Sequence, residues 1–131
     1  MKFRYAEFGD NLRPVIPIKV KHGERSVSYN VLVDSGADSC IFDAAIAPLL
    51  GVDVEDGVPA LVGGIAGQTA TYFIHPVTIE VGGWPYDIQA GFLPLVAGGF
   101  NYGVVGQTGF FEHFVVKFDM QKAEVDLRRK E

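Results

Sequence analysis

Short runs rich in Val, Ile, Phe and Tyr are interspersed with polar residues along this chain and cut at intervals by Gly and Pro, the pattern of strands separated by turns. Residues 15–21 read as a strand, 22–25 with Gly23 as a hairpin turn, and 26–33 as the returning strand, which runs directly into Asp34. Beyond Cys40, Ile41 and Phe42, residues 43–50 carry a capping aspartate, several alanines and a stop at Gly51, so one short helix fits. Pro48 removes a backbone donor there and is accommodated only if the preceding turn is distorted. Residues 61–67, LVGGIAG, are too rich in glycine for a rigid element and are flanked by extended segments, which predicts a mobile hairpin tip. Three strands follow at 69–74, 77–81 and 86–92, with Gly82, Gly83 and Pro85 turning the chain before the last. A short strand ends at Val104 and Val105, residues 106–113 accommodate a second short helix, and 114–119 with 123–127 close the chain as paired strands. This is a mainly β chain.

Its 131 residues suffice to enclose a hydrophobic core without disulfide or metal staples. No linker-like or low-complexity stretch divides them, so residues 1–131 read as a single domain. Hydrophobic residues make up 48% and charged ones 21%, a globular balance rather than a disordered one. A net charge of −5 argues against a nucleic-acid partner, because such binding rests on clustered Lys and Arg. The one basic cluster, Arg128, Arg129 and Lys130, sits at the terminus and reads as a solvated tail. The opening MKFRYAEFGD has no apolar core of signal-peptide length, and no run approaches a membrane span, so cytoplasmic residence without a membrane partner is expected. The single cysteine, Cys40, cannot form an intramolecular disulfide, in keeping with a reducing compartment.

Chemistry concentrates in the segment from Val31 to Phe42, VLVDSGADSCIF. It sets Asp34 at the end of an apolar strand, where a carboxylate borders low-dielectric surroundings yet stays on a reachable turn. Gly36 permits close backbone approach and has an amide able to donate to the carboxylate. Ser35 supplies a hydroxyl that can lock the turn. Asp-Ser-Gly alone equally describes an ordinary turn, since those are the residues turns prefer.

The order of three motifs changes that weighting. Asp34-Ser35-Gly36-Ala37-Asp38 resembles the Asp-Thr/Ser-Gly-Ala-Asp active-site loop of the retropepsins, the single-domain aspartic proteases of retroviruses and their cellular and bacterial relatives. Gly63-Gly64-Ile65-Ala66-Gly67 resembles their glycine-rich flap, and Val104-Val105-Gly106 their second loop signature, so the similarity spans about residues 12–129. The resemblance implies a closed β-barrel of the acid-protease type with one or two short helices and a flap hairpin. It also implies an aspartic endopeptidase acting on peptide or protein substrates without metal or organic cofactor. Such peptidases need two carboxylates, and Asp34 heads the one Asp-Ser/Thr-Gly triplet in the sequence, so the second Asp34 is expected from a homodimer mate.

By the same resemblance Asp34 is catalytic, Ser35 bonds across the dimer axis and the Gly36 amide supports the dyad. Ala37, Asp38, Gly63, Gly64, Ile65 and Val104 would contact substrate, with Tyr102 near the pocket. Many viral members carry an arginine after the second-loop glycine, whereas this chain has Gln107, so ion-pair bracing by that residue is absent. The alternative reading is a catalytically silent peptide-binding or dimerisation domain on the same fold.

Other residues carry plainer expectations. His22, His75 and His113 lack zinc-ligand spacing and read as surface or strand histidines. Cys40 reads as a buried thiol and Trp84 as packed on a hairpin. Phe110, Phe111, Phe114 and Phe118 read as core or dimer interface, and Asp53, Glu55 and Asp56 as a solvated cluster with calcium a remote alternative.

Overall fold

The computed structural model describes residues 1–63, 67–95 and 101–130. The described strands in chain order are β1 (Lys2–Arg4), β2 (Ala6–Phe8), β3 (Asn11–Arg13), β4 (Val15–His22), β5 (Arg25–Val33) and β6 (Cys40–Asp43). They continue with β7 (Val58–Gly63), β8 (Thr69–Val81), β9 (Trp84–Leu93), β10 (Gly103–Val105), β11 (Phe114–Asp119) and β12 (Glu124–Arg129). In β4, Ile16, Ile18 and Val20 are buried while Pro17 and Lys19 face solvent, the two-residue period of a strand with one face on a core. Gly23 at φ 59° turns the chain, and β5 returns antiparallel from His22↔Arg25 to Val15↔Leu32.

Six strands in the order β4-β5-β10-β6-β9-β8 close into a barrel through antiparallel pairing of β4 with β8, from Lys19↔Glu80 to Lys21↔Thr78. Two of the pairings, β5 with β10 and β6 with β9, are parallel. Inside lie Phe42, Phe92, Ile16, Ile79, Val31 and Val105, all fully buried, with Phe42 and Phe92 meeting edge to face at 6.1 Å. Burial of each such large side chain is worth about 1.5–3 kcal/mol. β7 adds to the free half of β8 outside the closed ring, and together they project as a hairpin paired from Val58↔Ile74 to Gly63↔Thr69.

The two strands expected at 69–74 and 77–81 are one, because β8 continues through Pro76. Pairing with β7 ends at Ile74 and pairing with β4 starts at Thr78, so the missing donor falls where β8 changes partners. The helix expected at 43–50 is instead two 3₁₀ turns, Ala44–Ile46 and Pro48–Leu50. Asp43 caps the first by accepting from Ala45 N at 3.1 Å, and Gly51 at φ 69° ends the second. Pro48 heads its own turn, where its missing donor costs nothing. The helix expected at 106–113 is likewise a single wide turn, Gln107–Phe111, broken at Thr108 and at Gly109, which takes φ 100°. Wide closures from Phe111 N to Gly106 O (3.1 Å) and Glu112 N to Gln107 O (3.2 Å) span the break.

The first thirteen residues, for which the pattern predicts no strand, form β1 against β12 and the β2–β3 hairpin. β12 lies between β1 and β11 in a three-stranded sheet, and Met1 N donates to Leu127 O at 2.9 Å. Trp84 is 47% exposed, with the Arg129 guanidinium 3.7 Å from its ring centroid. No described helix is long and apolar enough to cross a membrane.

Candidate active site

Asp34 follows Val33 at the end of β5, where β10 lies alongside with Val105 opposite Val33. The loop 34–38 is a turn closed by Ala37 N to Asp34 O at 3.2 Å. Three further main-chain bonds join it to the end of β10 and the segment that follows: Asp34 N to Val105 O (3.0 Å), Gln107 N to Ala37 O (2.8 Å) and Thr108 N to Asp38 O (2.9 Å). Gly106 sits where the two loops cross. A Cβ there would lie 2.6 Å from Ser39 O and overlap the Ala37 carbonyl oxygen, so only glycine fits. Within the turn, Gly36 N donates to Asp34 Oδ1 at 2.9 Å, and Gln107 Nε2 donates to Ser35 O at 2.9 Å. Gln107 therefore donates an uncharged hydrogen bond to this loop, at the position where many viral members have an arginine.

A groove of about 830 Å³ opens over Asp34, between the loop and the β7–β8 hairpin. Of the residues singled out from sequence, Asp34, Gly36, Ala37, Asp38, Gly63 and Val104 line it. Ser35 is exposed beside the groove rather than in its lining. Gly64 and Ile65, with Ala66, lie outside the described residues. Tyr102 is absent from the described lining and is buried. Its hydroxyl accepts from Arg13 at 2.8 Å and its ring meets Phe8 edge to face at 5.1 Å, which directs it toward the β2–β3 hairpin.

The groove wall also holds Ile41, Val62, Tyr72, Leu93 and Leu95, which sequence reasoning did not assign. Tyr72 packs over Gly91, two positions along from that glycine's cross-strand partner Ile74, and a Cβ on Gly91 would overlap its ring. A lone glycine in an apolar strand next to an aromatic-bearing strand was the available signal. The wall is more apolar than polar, with Ser39, Gln68 and Thr69 among its residues, and the two carboxylates in the described lining, Asp34 and Asp38, are both on the turn. The site thus offers extended main chain a hairpin cover and offers side chains apolar contact.

Beneath the loops, Cys40 is buried with its Sγ donating to Thr108 O at 3.5 Å. Burial pushes its thiol up to about 11, opposed by a backbone bond from Gly106 and reinforced by the charge of Glu112. Asp43, 7% exposed, accepts from Leu95 N at 3.4 Å as well as capping its turn, and its own N donates to Tyr29 Oη at 2.9 Å. Burial raises the Tyr29 hydroxyl to about 12, lowered in part by that bond and raised by the Asp43 charge. His75 Nε2 donates to Val54 O at 2.8 Å, and His22 Nδ1 bonds to Leu50 O at 3.1 Å. Among the described residues no three His, Cys, Asp or Glu side chains gather as a metal set.

Residues 16–108 match the aspartyl protease family, and that span covers most of the chain: the protein belongs to the aspartyl protease family. Its fold is similar to that of EIAV protease, solved in complex with the inhibitor HBY-793. The two share 22% identity with a TM-score of 0.51, over 77% of this chain and 88% of that one. No curated protein sequence matches the chain.

Proposed function

We propose that two copies of this chain hydrolyse peptide bonds through a water held between their Asp34 carboxylates at a homodimer axis. The observation that carries the reading is the placement of Asp34: on a turn pinned by main-chain bonds, in the lining of a groove of about 830 Å³ that it shares with the β7–β8 hairpin. Two carboxylates within hydrogen-bond reach cannot both ionise cheaply, so the pair shares one proton. The ionised Asp34 takes a proton from water as the oxygen attacks the scissile carbonyl carbon, and its protonated mate gives a proton to the carbonyl oxygen. The gem-diol then collapses, its C–N bond breaking as the amine nitrogen accepts a proton. Asp38 and Gly63 would hold substrate main chain, Ala37 and Val104 would meet side chains, and by the family resemblance Gly64 and Ile65 would also contact substrate. Closure of the β7–β8 hairpin would exclude bulk water. In this reading residues 1–131 act as one domain in the cytoplasm and need no cofactor.

Incubation with a diverse peptide library from mildly acidic to neutral pH, beside Asp34→Asn, tests it. Cleavage by the parent alone is expected. Cleavage by both proteins removes Asp34 from the mechanism. Peptide binding by both without turnover in either supports instead a silent peptide-binding domain.

A further inference from the structure

We propose that Gln107 is a positioning residue for catalysis, acting on Asp34 through the single peptide group that joins Ser35 to Gly36. The inference rests on the reading of Asp34 as the catalytic acid. The three main-chain bonds to the end of β10 and the segment after it secure the turn at Asp34, Ala37 and Asp38. Its crest, the Ser35–Gly36 peptide, is held differently: the carbonyl accepts from Gln107 Nε2 at 2.9 Å, and the N–H of the same peptide donates to Asp34 Oδ1 at 2.9 Å.

Because a peptide group is planar, with its C=O and N–H on opposite sides, fixing the oxygen fixes where the N–H points. A donor on the oxygen also polarises the group and strengthens the bond from its N–H. The glycine side of this peptide has wide conformational freedom, so without the Gln107 bond the crest can rotate and withdraw its N–H from the carboxylate. Gln107 itself is placed by its main chain, through the 2.8 Å bond from its N to Ala37 O. The side chain thus reaches over the turn from a fixed base. Its amide is uncharged, so the hold does not depend on pH or salt as an ion pair would.

The proposal requires the side chain to donate. Gln107→Ala removes the donor, and Gln107→Glu replaces it with a group that donates only when protonated. With peptide substrate and dimers verified by sedimentation, Gln107→Ala is expected to lower kcat about ten- to a hundredfold, with KM changed less than about twofold. Loss of an N–H donor disfavours the ionised carboxylate, so the acid limb of the kcat/KM profile moves to higher pH. The ratio of Gln107→Glu to Gln107→Ala activity is expected to be at or below one near neutrality. It should rise as pH falls through the ordinary glutamate range, about 4–5, where the carboxyl gains a donor hydrogen. Unchanged kcat and acid limb in Gln107→Ala, or a ratio flat with pH, overturns the proposal.

A carboxyl-carbon NMR titration of Asp34 in parent and Gln107→Ala reads the same coupling without substrate. Identical titration in the two proteins overturns the inference. A higher Asp34 titration in Gln107→Ala, with a parent that cuts no peptide, upholds the coupling and overturns the catalytic reading alone.

Discussion

At the scale of single residues, the strongest constraint is Gly106. Its Cβ position is occupied by carbonyl oxygens of Ala37 and Ser39, which are backbone atoms that no rotamer change can clear. Gly106→Ala must therefore push the two loops apart, at a cost of about 1–3 kcal/mol, and lower the urea midpoint accordingly. A midpoint unchanged within error would show that the two loops can separate at the crossing without cost. Cys40 and Tyr29 make a second prediction. Their folded-state values lie near 11 and 12, above the ordinary 9.0 and 10.0, so the unfolded chain loses these protons first as pH rises. The native state then binds more protons, and stability falls as pH climbs from about 9 to 11 for the thiol and about 10 to 12 for the hydroxyl. Denaturant curves at successive pH values should show a shallower decline between pH 9 and 10 for Cys40→Ala than for the parent, and equal slopes would contradict this. Asp34 and the Gly36 amide were readable as chemistry because residue type and order mark them. The hold by Gln107 was not, because its partner is a main-chain carbonyl that no side chain announces.

Individual strands were legible wherever one face is buried, as in β4 and β5, since apolar spacing records that face directly. Short helical segments were legible only in part: Asp43 and Gly51 were the right ends, but Pro48 splits the run and Gly109 breaks the other at a left-handed φ. Tertiary ties explain why Asp43 tolerates burial, for it holds both its own turn and the chain after β9. Asp43→Ala loses both bonds and is expected to cost about 1–3 kcal/mol, whereas Asp43→Asn retains an acceptor oxygen and should recover much of that. Chemical denaturation of the two variants separates the outcomes, and equal losses would assign the effect to charge instead. Between β8 and β9, Tyr72 is expected to depend on Gly91 for its place in the groove wall. Gly91→Ala should drive the ring aside and raise KM for peptide severalfold. Adding Tyr72→Ala to it should relieve most of the stability loss, a non-additive double-mutant cycle. Additive losses would mean that the ring and the glycine do not press on each other.

For the whole molecule, closure is set by contacts far apart in sequence. The β4–β8 pairing completes the barrel, and the pairing of β1 with β12 occupies both terminal strands within one chain. Local pattern does not record such contacts, so β1, β2 and β3 leave no mark in it and the barrel is implied by the order of the motifs rather than by strand pairing. What this closed protomer contains is one Asp34 loop, and the proposed chemistry needs two, so catalysis should belong to the pair of chains rather than to either. Mixing parent with Asp34→Asn at constant total concentration, under conditions that allow subunit exchange, turns that into a curve. If both carboxylates are required and chains pair at random, activity follows the square of the parental fraction, about one quarter at an equal mixture. If each protomer acts alone, activity follows the fraction itself, about one half. Dilution supplies the companion measurement, since specific activity should fall once the concentration drops below the dimer dissociation constant. A linear mixing curve with dilution-independent specific activity would leave Asp34 as a residue of a monomeric site and remove the two-fold axis from the mechanism.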